Sequence, residues 1–551
     1  MNINQKRNYL RLWIATIALG GIQYGYSMGE LNTFDLKPTC MRCFQHGDKV
    51  NPCSNDTDVY SYDYFFMYIS TCMVPLGAIF SSIYSGTFLS LRKALFIANI
   101  FCMVGRGINA IHIQYATLAG RFVNGLGVGI FSVIVPMFIN EISPTKRKGS
   151  YGIATQIGIT GGIFISYIVA KIMCFFNEVP PFEENKGNKA VKTNFTILYL
   201  FPILFCLLQT ALLKWKFKYE APKYYIIKEE YDVAQTLIQD ILERNEAKEE
   251  SNAGHSIYTD NSNALEINTI DPVSLNKYNQ NWDGRKFSSI FKPKYWRSFL
   301  VGCILSMLQQ LSGINIIIFY SGEIFNKENN VYFGYIPMIL GFINFLCTII
   351  ATMLKFPFKS RLLIGLICLI VCSSTLFVFS APHYEKWCPK SDIADDPTSC
   401  HIRTIRNVDR SVFIIFTTLF LISFALTIGP ITWIMIAEIL TERGMGIAIS
   451  LNWALIIIIG VLPALKITPI EDTYVEDKDF YPGLNFSVLF FIFSGILMFG
   501  FVMILLNVKE TYGLELHEIR ELYKNEAYDP LIRGRNRIDS EEESLLNSIS
   551  M

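Results

Sequence analysis

Charge is scarce in this chain of 551 residues, because only 17% of the residues are charged, against about 25% in soluble domains. The formal net charge is +1, so no nucleic acid or other polyanion is indicated as a partner. The six histidines are scattered. There is no clustered Ser/His/Asp set, no metal-ligand spacing within the apolar segments and no HExxH motif. The sequence therefore argues against an enzyme and indicates no catalytic residue, metal site or cofactor.

Long apolar runs are what the chain has instead, and 51% of its residues are hydrophobic. Many of these runs approach the ~20 residues that cross a bilayer as a helix. The first run is too long for a signal-peptide core and lacks a small-residue cleavage site, so we interpret it as a membrane anchor. The runs predict about twelve transmembrane helices, called spans one to twelve below, near residues 11–34, 63–85, 92–113, 115–139, 151–174, 195–213, 298–322, 333–354, 361–381, 411–437, 445–467 and 485–508.

Basic residues beside these spans predict how the chain is oriented in the membrane. Lys and Arg near span ends stay preferentially on the cytosolic side. They occur before span one, in several even-numbered connections and after span twelve: Lys6, Arg7, Arg11, Arg92, Lys93, Lys146, Arg147, Lys148, Lys214, Lys216, Lys218, Lys359, Arg361 and Lys509. The loop at 382–410 also holds basic residues but does not reverse the summed bias. Both termini and the even-numbered connections are thus predicted to be cytosolic, and we call this side the inner side.

The order of apolar and polar regions predicts four parts. They are an N-terminal six-helix bundle over 1–213, a cytosolic linker with short helices over 214–297, a C-terminal six-helix bundle over 298–508 and a cytosolic tail over 509–551. Within the linker a helix is predicted near 228–248, followed by a region rich in Asn, Ser and Asp. The acidic tail is predicted to be mobile towards its end.

A run of carboxamides interrupts span seven, where Gln309–Asn315 reads QQLSGIN. Each unpaired amide in hydrocarbon costs roughly 2–7 kcal/mol, so these groups need a polar partner there. An amide offers donors and an acceptor without charge, which suits the hydroxyls of a neutral polyol. Gly313 is a natural place for the helix to bend or unwind, as binding helices of transporters often do. The pattern therefore predicts a sugar carrier.

Cysteines cluster in the first outer loop, where Cys40, Cys43 and Cys53 lie near His46. This spacing is compatible with a zinc site. On an outer face, however, a disulfide such as Cys43–Cys53 is favoured.

The two halves of the chain repeat one charged pattern at the inner end of a span. Span four is followed by Glu141 and Arg147, and span ten by Glu438 and Arg443. Such residues can form ion pairs between the two bundles, which close the inner side and must break when it opens. The alternative is ordinary charged helix ends, since each exposed pair is worth only about 0–1 kcal/mol. A parallel six-span repeat with the site between the halves is a known transporter plan.

With these features in view, the chain resembles the sugar porter family of the major facilitator superfamily. The resemblance covers nearly the whole chain. In detail, the chain is most similar to the hexose transporters of apicomplexan parasites. Its motifs are QQLSGIN, Gly120-Arg121-Phe122, Gly429-Pro430-Ile431-Thr432-Trp433, Asn452-Trp453, Glu220-Ala221-Pro222-Lys223 and Glu510-Thr511-Tyr512-Gly513. The fold that this resemblance implies is an all-α membrane fold of about twelve helices in two six-helix bundles.

The resemblance also implies a binding site and gates. Residues expected to hold sugar hydroxyls are Gln156, Gln309, Gln310, Asn315, Asn344 and Asn452. Trp433 would offer its flat apolar face to the sugar ring, with its indole N–H available as a donor. Residues expected to act in gating are Phe319 and Tyr320 at the outer end of span seven, and Arg121, Glu141, Arg147, Glu438 and Arg443.

Two inner connections depart from the family pattern. The one between spans two and three usually reads like D-R-x-G-R-R, but here only Arg92 of that motif remains, and the connection around 356–361 is similarly poor in charge. We therefore expect a weaker bias towards the outward-facing state or another mode of closure.

One substitution bears on the energy source of transport. In proton-coupled relatives an Asp follows the Gly-Tyr of span one and faces an Arg of span four, whereas here Ser27 follows Tyr26 opposite Arg121. A serine does not exchange a proton near neutral pH, which favours facilitated diffusion. Glu30 lies three residues on and could substitute as a coupling group, although its position near the outer interface favours an exposed carboxylate.

The sequence thus predicts a facilitative hexose uniporter, for D-glucose and possibly fructose, that works by alternating access. The alternatives are a proton-coupled hexose or polyol/inositol symporter and a sugar sensor that does not transport. The expected partners are a small hexose and the lipid bilayer, the expected location is the plasma membrane with an organelle membrane as the alternative, and the expected functional unit is the monomer.

Overall fold

Most of the apolar sequence is described by the computed structural model of the chain. The described residues are 3–30, 57–111, 113–144, 147–176, 193–238, 290–325, 335–380, 383–387, 401–405, 410–461, 485–514, 519 and 522–523. Within these residues the regular secondary structure is helical except for one two-stranded hairpin. Cys40, Cys43 and Cys53 lie outside the described residues, so the Cys43–Cys53 disulfide stays a prediction.

The N-terminal half and the first part of the linker contain nine helices among the described elements. They are α1 (Ile3–Gly29), α2 (Thr57–Ser85), α3 (Leu91–Asn109), α4 (Gln114–Ile142), α5 (Lys148–Gly152), α6 (Ala154–Phe176), α7 (Ile203–Trp215), α8 (Pro222–Ile227) and α9 (Tyr231–Ile238). Residues 193–200 are helical as well and form one candidate span with α7. The helix predicted near 228–248 is observed as α9 as far as the described residues extend.

The C-terminal half contains the remaining described elements. The helices are α10 (Pro293–Leu311), α11 (Ile314–Phe325), α12 (Ile336–Ala351), α13 (Phe358–Ser380), α14 (Arg410–Leu426), α15 (Ile428–Ile439), α16 (Glu442–Val461) and α17 (Asn485–Asn507). Two short strands, β1 (His383–Trp387) and β2 (His401–Ile405), pair antiparallel with His383 opposite Ile405. The sequence did not predict this hairpin, which lies in the outer loop before α14.

Each of the twelve predicted spans overlaps at least one of these helices. Eight helices in the described part of the chain are long and apolar enough to cross a membrane, and residues 69–85 and α12 are shorter apolar helices. The two others, α1 and α3, have 27 and 19 residues and carry more polar side chains. The arrangement is that of a multi-helix membrane protein.

Span seven is broken where the sequence predicts. Helix α10 ends at Leu311 and α11 begins at Ile314, and Gly313 between them has φ of +92°. Glycine adopts this left-handed conformation without the steric penalty that a Cβ introduces. Span ten is interrupted too, at Thr427 between α14 and α15. Residues at both breaks, such as Ser312 and Ile428, are buried, and irregular backbone within a membrane is tolerated where protein encloses it.

The two halves pack against each other along two helix pairs, α2 with α16 and α6 with α12. In the first pair the Ser450 hydroxyl donates to the carbonyl of Ile79 at 3.4 Å. In the second, the Phe164 ring lies 6.1 Å from the Phe345 ring, nearly parallel to it. Buried side chains of both halves join in one large apolar cluster, whose close packing stabilises the bundle through many dispersion contacts.

A glutamate caps a helix at the inner side of each half. Glu220, which follows α7, accepts hydrogen bonds from the Ser90 hydroxyl and, at 3.1 Å, from the backbone N–H of Arg92 at the start of α3. Glu510, which follows α17, accepts from the backbone N–H groups of Phe358 and Lys359 at the start of α13, both at 2.9 Å. The connections that lack the family's charges are thus held by carboxylates at helix N-termini, where negative charge is favourable.

Candidate functional site

A cavity of about 40 Å³ lies between the two halves near the break in span seven. Both halves contribute to its wall: Tyr24, Met28, Gln156, Ile159 and Ile163 from the first, and Gln309, Gln310, Ile314, Asn315, Ile318, Asn344, Phe424 and Trp433 from the second. Six of the seven side chains predicted to bind a ligand therefore line one cavity. Its wall combines apolar surface with a few convergent amides, which is the usual composition of a small-molecule site.

The amides of span seven are joined in a chain of hydrogen bonds. Gln309 Nε2 donates to the carbonyl of Gly429 at 2.9 Å, which lies just after the break in span ten. Gln310 Nε2 donates to Asn452 Oδ1 at 2.8 Å, and Asn315 Nδ2 donates to Gln310 Oε1. These bonds satisfy amide groups that would otherwise be costly to bury and hold the amides in fixed orientations.

Asn452 does not line the cavity, in contrast to the expectation that it contacts the ligand. It lies behind the glutamines, where its Nδ2 donates to Gln309 Oε1 at 3.1 Å and to the carbonyl of Ser306 at 2.9 Å. Its Oδ1 accepts from Gln310. Asn452 in α16 thereby orients both cavity-facing glutamines of α10, because all of its hydrogen-bonding atoms are engaged with them and the backbone.

Trp433 differs from expectation in one respect. Its indole Nε1 donates to Gln156 Oε1 at 2.8 Å, so the N–H is engaged by the other half of the molecule. The Tyr24 ring packs edge-on against Trp433, with the ring centres 6.1 Å apart. The Gln156–Trp433 bond therefore joins the two halves at the cavity wall.

Asn344 is a lining side chain with unmet hydrogen-bonding capacity. It is 3% exposed, and its Oδ1 has no hydrogen-bond partner among the described residues. A buried acceptor of this kind costs about 1–3 kcal/mol when it stays unpaired. An incoming donor, such as a hydroxyl group, would remove that cost.

The apolar wall was missed by the sequence reasoning. Met28 lies one helical turn after Tyr24 on α1, and Ile159 and Ile163 follow Gln156 at three and seven residues on α6. These spacings place each set on one helix face. The helical periodicity of apolar residues around Gln156 could have predicted them. The sequence analysis, however, treated Gln156 only as a single polar residue.

On the outer side of the cavity, the halves meet beside the predicted outer gate. The Tyr167 hydroxyl of α6 donates to the carbonyl of Ile318 at 3.0 Å, next to Phe319. The half-buried Phe319 side chain packs on the apolar core, and Tyr320 follows it in α11. Their gating role stays a prediction, although this contact places the end of span seven against the N-terminal half.

On the inner side, several contacts between described residues lie beside the predicted gate residues. Asn140 Nδ2 donates to the carbonyl of Ala437 at 2.8 Å. Glu141 Oε1 lies 4.0 Å from Lys223 Nζ, a lysine to which the sequence reasoning gave no role. Glu438 is 3% exposed, and its Oε2 has no hydrogen-bond partner among the described residues. The gating roles of Arg147 and Arg443 stay predictions.

Glu30 and Arg121 form a charged cluster inside the N-terminal half, and the gating role of Arg121 stays a prediction. Glu30 is 0% exposed, so the expectation of an exposed carboxylate was wrong. Its Oε1 accepts from Arg121 at 2.6 Å and its Oε2 from Arg106 at 3.0 Å. Ser27 accepts from Arg106 Nη2 at 2.9 Å and from Asn124 Nδ2 at 3.0 Å. The sequence reasoning overlooked Arg106, a charge within span three.

Comparison with known proteins assigns a family to this arrangement. The family model described as "Sugar (and other) transporter" matches residues 13–523. Hexose transporter 1 of Plasmodium knowlesi is 26% identical over 517 residues, which cover 92% of this chain and 91% of that protein. The high-affinity hexose transporter HXT6 of Saccharomyces cerevisiae is 25% identical, with coverage of 96% and 85%.

Solved structures show the same fold. The proton:xylose symporter XylE bound to 6-bromo-6-deoxy-D-glucose superposes with a TM-score of 0.71 at 16% identity, covering 94% of this chain and 100% of that one. The predicted all-α major facilitator fold is thereby confirmed. The family consists of membrane transporters for small molecules and not of enzymes. Because its model spans nearly the whole sequence, this chain belongs to the family described as "Sugar (and other) transporter".

Proposed function

We propose that this protein is a facilitative hexose uniporter, with D-glucose as its principal substrate, that works by alternating access. The observation that carries the proposal is the cavity between the halves, where oriented amides converge with the unpaired Asn344 Oδ1. Carboxamides can donate to and accept from sugar hydroxyls, and Trp433 and Tyr24 supply flat surfaces for the C–H faces of a pyranose. The names of the relatives, hexose transporters in Plasmodium and yeast, support hexose as the substrate class.

Uniport is supported by the chemistry of span one. Ser27 cannot carry a proton near neutral pH. Glu30 is buried between Arg106 and Arg121 and is the counter-charge of both cations. Because breaking such a buried cluster costs about 3–5 kcal/mol, we assign the Glu30 carboxylate a structural role in this half.

The test is uptake of labelled D-glucose by the purified protein in liposomes, with and without an imposed inward proton gradient. We expect saturable uptake that stops at equilibrium and ignores the gradient. The matched control is the Asn344→Ala protein, which keeps the hydrogen-bonded amides of span seven but lacks the unpaired Oδ1 of Asn344. Absence of glucose flux in folded protein would overturn the hexose assignment and direct the same assay to polyols such as inositol. Failure there too would favour a sensor that binds without transport.

A second candidate function, proton-coupled transport through Glu30, is favoured by one observation. Glu30 is fully buried and bonded to the span-four arginine, close in sequence to the position where coupled relatives carry an acid. Accumulation of glucose above equilibrium under the proton gradient would establish this alternative. Glu30→Gln would then abolish accumulation while retaining exchange.

The setting of the carrier completes the proposal. We infer operation as a monomer in the plasma membrane, with 1–213 and 298–508 as the moving bundles, 214–297 as the linker and 509–551 as the tail. Expression of a tagged chain with surface labelling tests the location, and an intracellular pattern would instead assign an organelle membrane.

A further inference from the structure

Tyr24 of the cavity wall carries a hydroxyl group that the rest of the described chain leaves unpaired. The residue lies on α1, lines the cavity and is 5% exposed. Its hydroxyl forms no hydrogen bond with any described residue, and surrounding atoms do not seal off its oxygen. Because the space beside this buried residue is the cavity, the hydroxyl faces the cavity.

Two other tyrosines of the first half show how buried hydroxyl groups are satisfied elsewhere in the protein. The Tyr26 hydroxyl donates to the carbonyl of Leu198 at 2.9 Å, and the Tyr167 hydroxyl donates to that of Ile318 at 3.0 Å. A buried tyrosine hydroxyl usually finds such a partner, because an unpaired polar group is costly in apolar surroundings. The open hydroxyl of Tyr24 therefore indicates a partner that enters the cavity.

Two tryptophans of the second half fix the position of the Tyr24 ring. The ring packs edge-on against Trp433, with the ring centres 6.1 Å apart. It also packs against Trp453, with the ring centres 4.7 Å apart and the planes at 42°. Trp453 is fixed in turn, because its Nε1 donates to Ser132 Oγ at 3.1 Å. The Tyr24 side chain is thus held in place before a ligand arrives, which reduces the entropy lost on binding.

The other side chains that the first half gives to the cavity wall are mostly apolar. Met28, Ile159 and Ile163 carry no hydrogen-bonding group suited to a sugar, and Gln156 has its oxygen engaged by Trp433. A site built to bond a substrate hydroxyl discriminates strongly against an analogue that lacks it. The Tyr24 hydroxyl is therefore placed to read one hydroxyl of the substrate from the first half.

We propose that Tyr24 is a specificity-determining residue, whose hydroxyl forms a hydrogen bond with one hydroxyl of the hexose. The inference rests on the proposed hexose transport and adds a polar contact from the first half to the amides of the second. A phenol hydroxyl both donates and accepts hydrogen bonds, so either hydrogen-bonding role of the sugar hydroxyl is met. The hexose is thereby bonded to both halves at once.

The experiment removes the hydroxyl of Tyr24 and one hydroxyl of the sugar, separately and together. Tyr24→Phe keeps the ring that packs against the tryptophans. Dissociation constants are measured on purified protein, as displacement of labelled D-glucose by D-glucose and by the deoxy-glucoses that each lack one hydroxyl. We expect Tyr24→Phe to weaken D-glucose binding about fivefold, the net worth of one hydrogen bond. Analogues that keep the bound hydroxyl should weaken equally, and the one that lacks it should bind both proteins alike.

Tyr26→Phe is the matched control, because it removes a tyrosine hydroxyl two residues further along α1 that is bonded within the first half. Its dissociation constants should equal those of the unmodified protein. Unchanged constants for folded Tyr24→Phe protein, or an equal loss for every analogue with none spared, would overturn the inference. If the unmodified protein did not bind D-glucose, the hexose assignment would fail and the inference with it, so the two failures are distinguishable.

Discussion

The two halves of this carrier follow one plan but bury different polar chemistry. The N-terminal half encloses ions, with Glu30 held by Arg106 and Arg121 inside the bundle. The C-terminal half encloses neutral amides, with Gln309 and Gln310 held by hydrogen bonds and facing the cavity. The ionic cluster lies within one bundle, whereas the amides line the surface between bundles.

This difference assigns the two halves different tasks. An ion cluster satisfied inside one bundle is unaffected when the halves move relative to each other, so it can fix the geometry of the N-terminal half throughout the cycle. Amides at the moving surface can exchange partners at low cost, because they carry no charge that must be neutralised. We therefore expect a neutral polyol to be recognised mainly by the second half.

The largest expected effect comes from breaking the ionic cluster. Glu30→Gln leaves the cations of Arg106 and Arg121 buried without a counter-charge, and breaking a buried ion cluster in this way costs about 3–5 kcal/mol. We expect a marked fall in the thermal midpoint of the purified protein in detergent. Glu30→Asp is the control, because it keeps the charge and should retain more of the stability. Equal midpoints for Glu30→Gln and the unmodified protein would mean that the cluster does not stabilise this half.

The second effect tests the amide wall of the other half. Gln309→Ala and Asn315→Ala each remove a side chain that lines the cavity, and each leaves a hydrogen-bond partner unsatisfied at a cost of about 1–3 kcal/mol. We expect hexose uptake to fall by about 10- to 100-fold with normal surface expression, measured as initial rates in cells. Unchanged uptake in both variants would refute the site assignment.

The third comparison separates residues that contact the sugar from those that orient the contacts. Asn344 lines the cavity with an unpaired oxygen, while Asn452 lies behind the glutamines. We expect Asn344→Ala to weaken binding of hexoses but to change little for the one deoxy-hexose that lacks the hydroxyl it binds. Asn452→Ala should weaken all of them alike, by about tenfold, since it loosens two glutamines at once. The measurement is the inhibition constant of a series of deoxy-glucoses, and identical profiles for the two variants would contradict the distinction.

The elements that the sequence predicts well are those governed by local chemistry. Apolar length predicts the spans, and the QQLSGIN run with Gly313 predicts both the break in span seven and the amides of the site. Amide side chains in a short apolar stretch are costly to bury in hydrocarbon, so that stretch alone predicts that polar partners lie nearby. The resemblance to sugar porters extended this reading to Gln156 and Trp433, which lie far apart in sequence but meet in the cavity.

What the sequence did not predict depends on distant contacts. The exposure of Glu30 was misjudged because its depth was estimated from span one alone, and its burial follows from arginines on α3 and α4. Arg106 carried a readable signal, since a charge inside a span indicates a buried partner. No such signal indicated the pairing of Lys223 with Glu442, because the two residues lie 219 positions apart and both are ordinary charged residues at helix starts.

The smallest effect compares the two capping glutamates. Glu510 accepts from the backbone N–H groups of Phe358 and Lys359 at the start of α13, and its Oε1 also accepts from those of residues 511 and 512. Glu220 accepts from one backbone N–H of α3, and there the Ser90 hydroxyl accepts from the N–H of Lys93 as well. A lost cap costs about 0.5–2 kcal/mol, so Glu510→Ala should lower the thermal midpoint more than Glu220→Ala, whose helix keeps the Ser90 cap. The corresponding Gln variants retain an acceptor oxygen and should lie between. The opposite order would show that the Ser90 hydroxyl cannot cap α3 alone, and that the first half depends on its glutamate more than the second does.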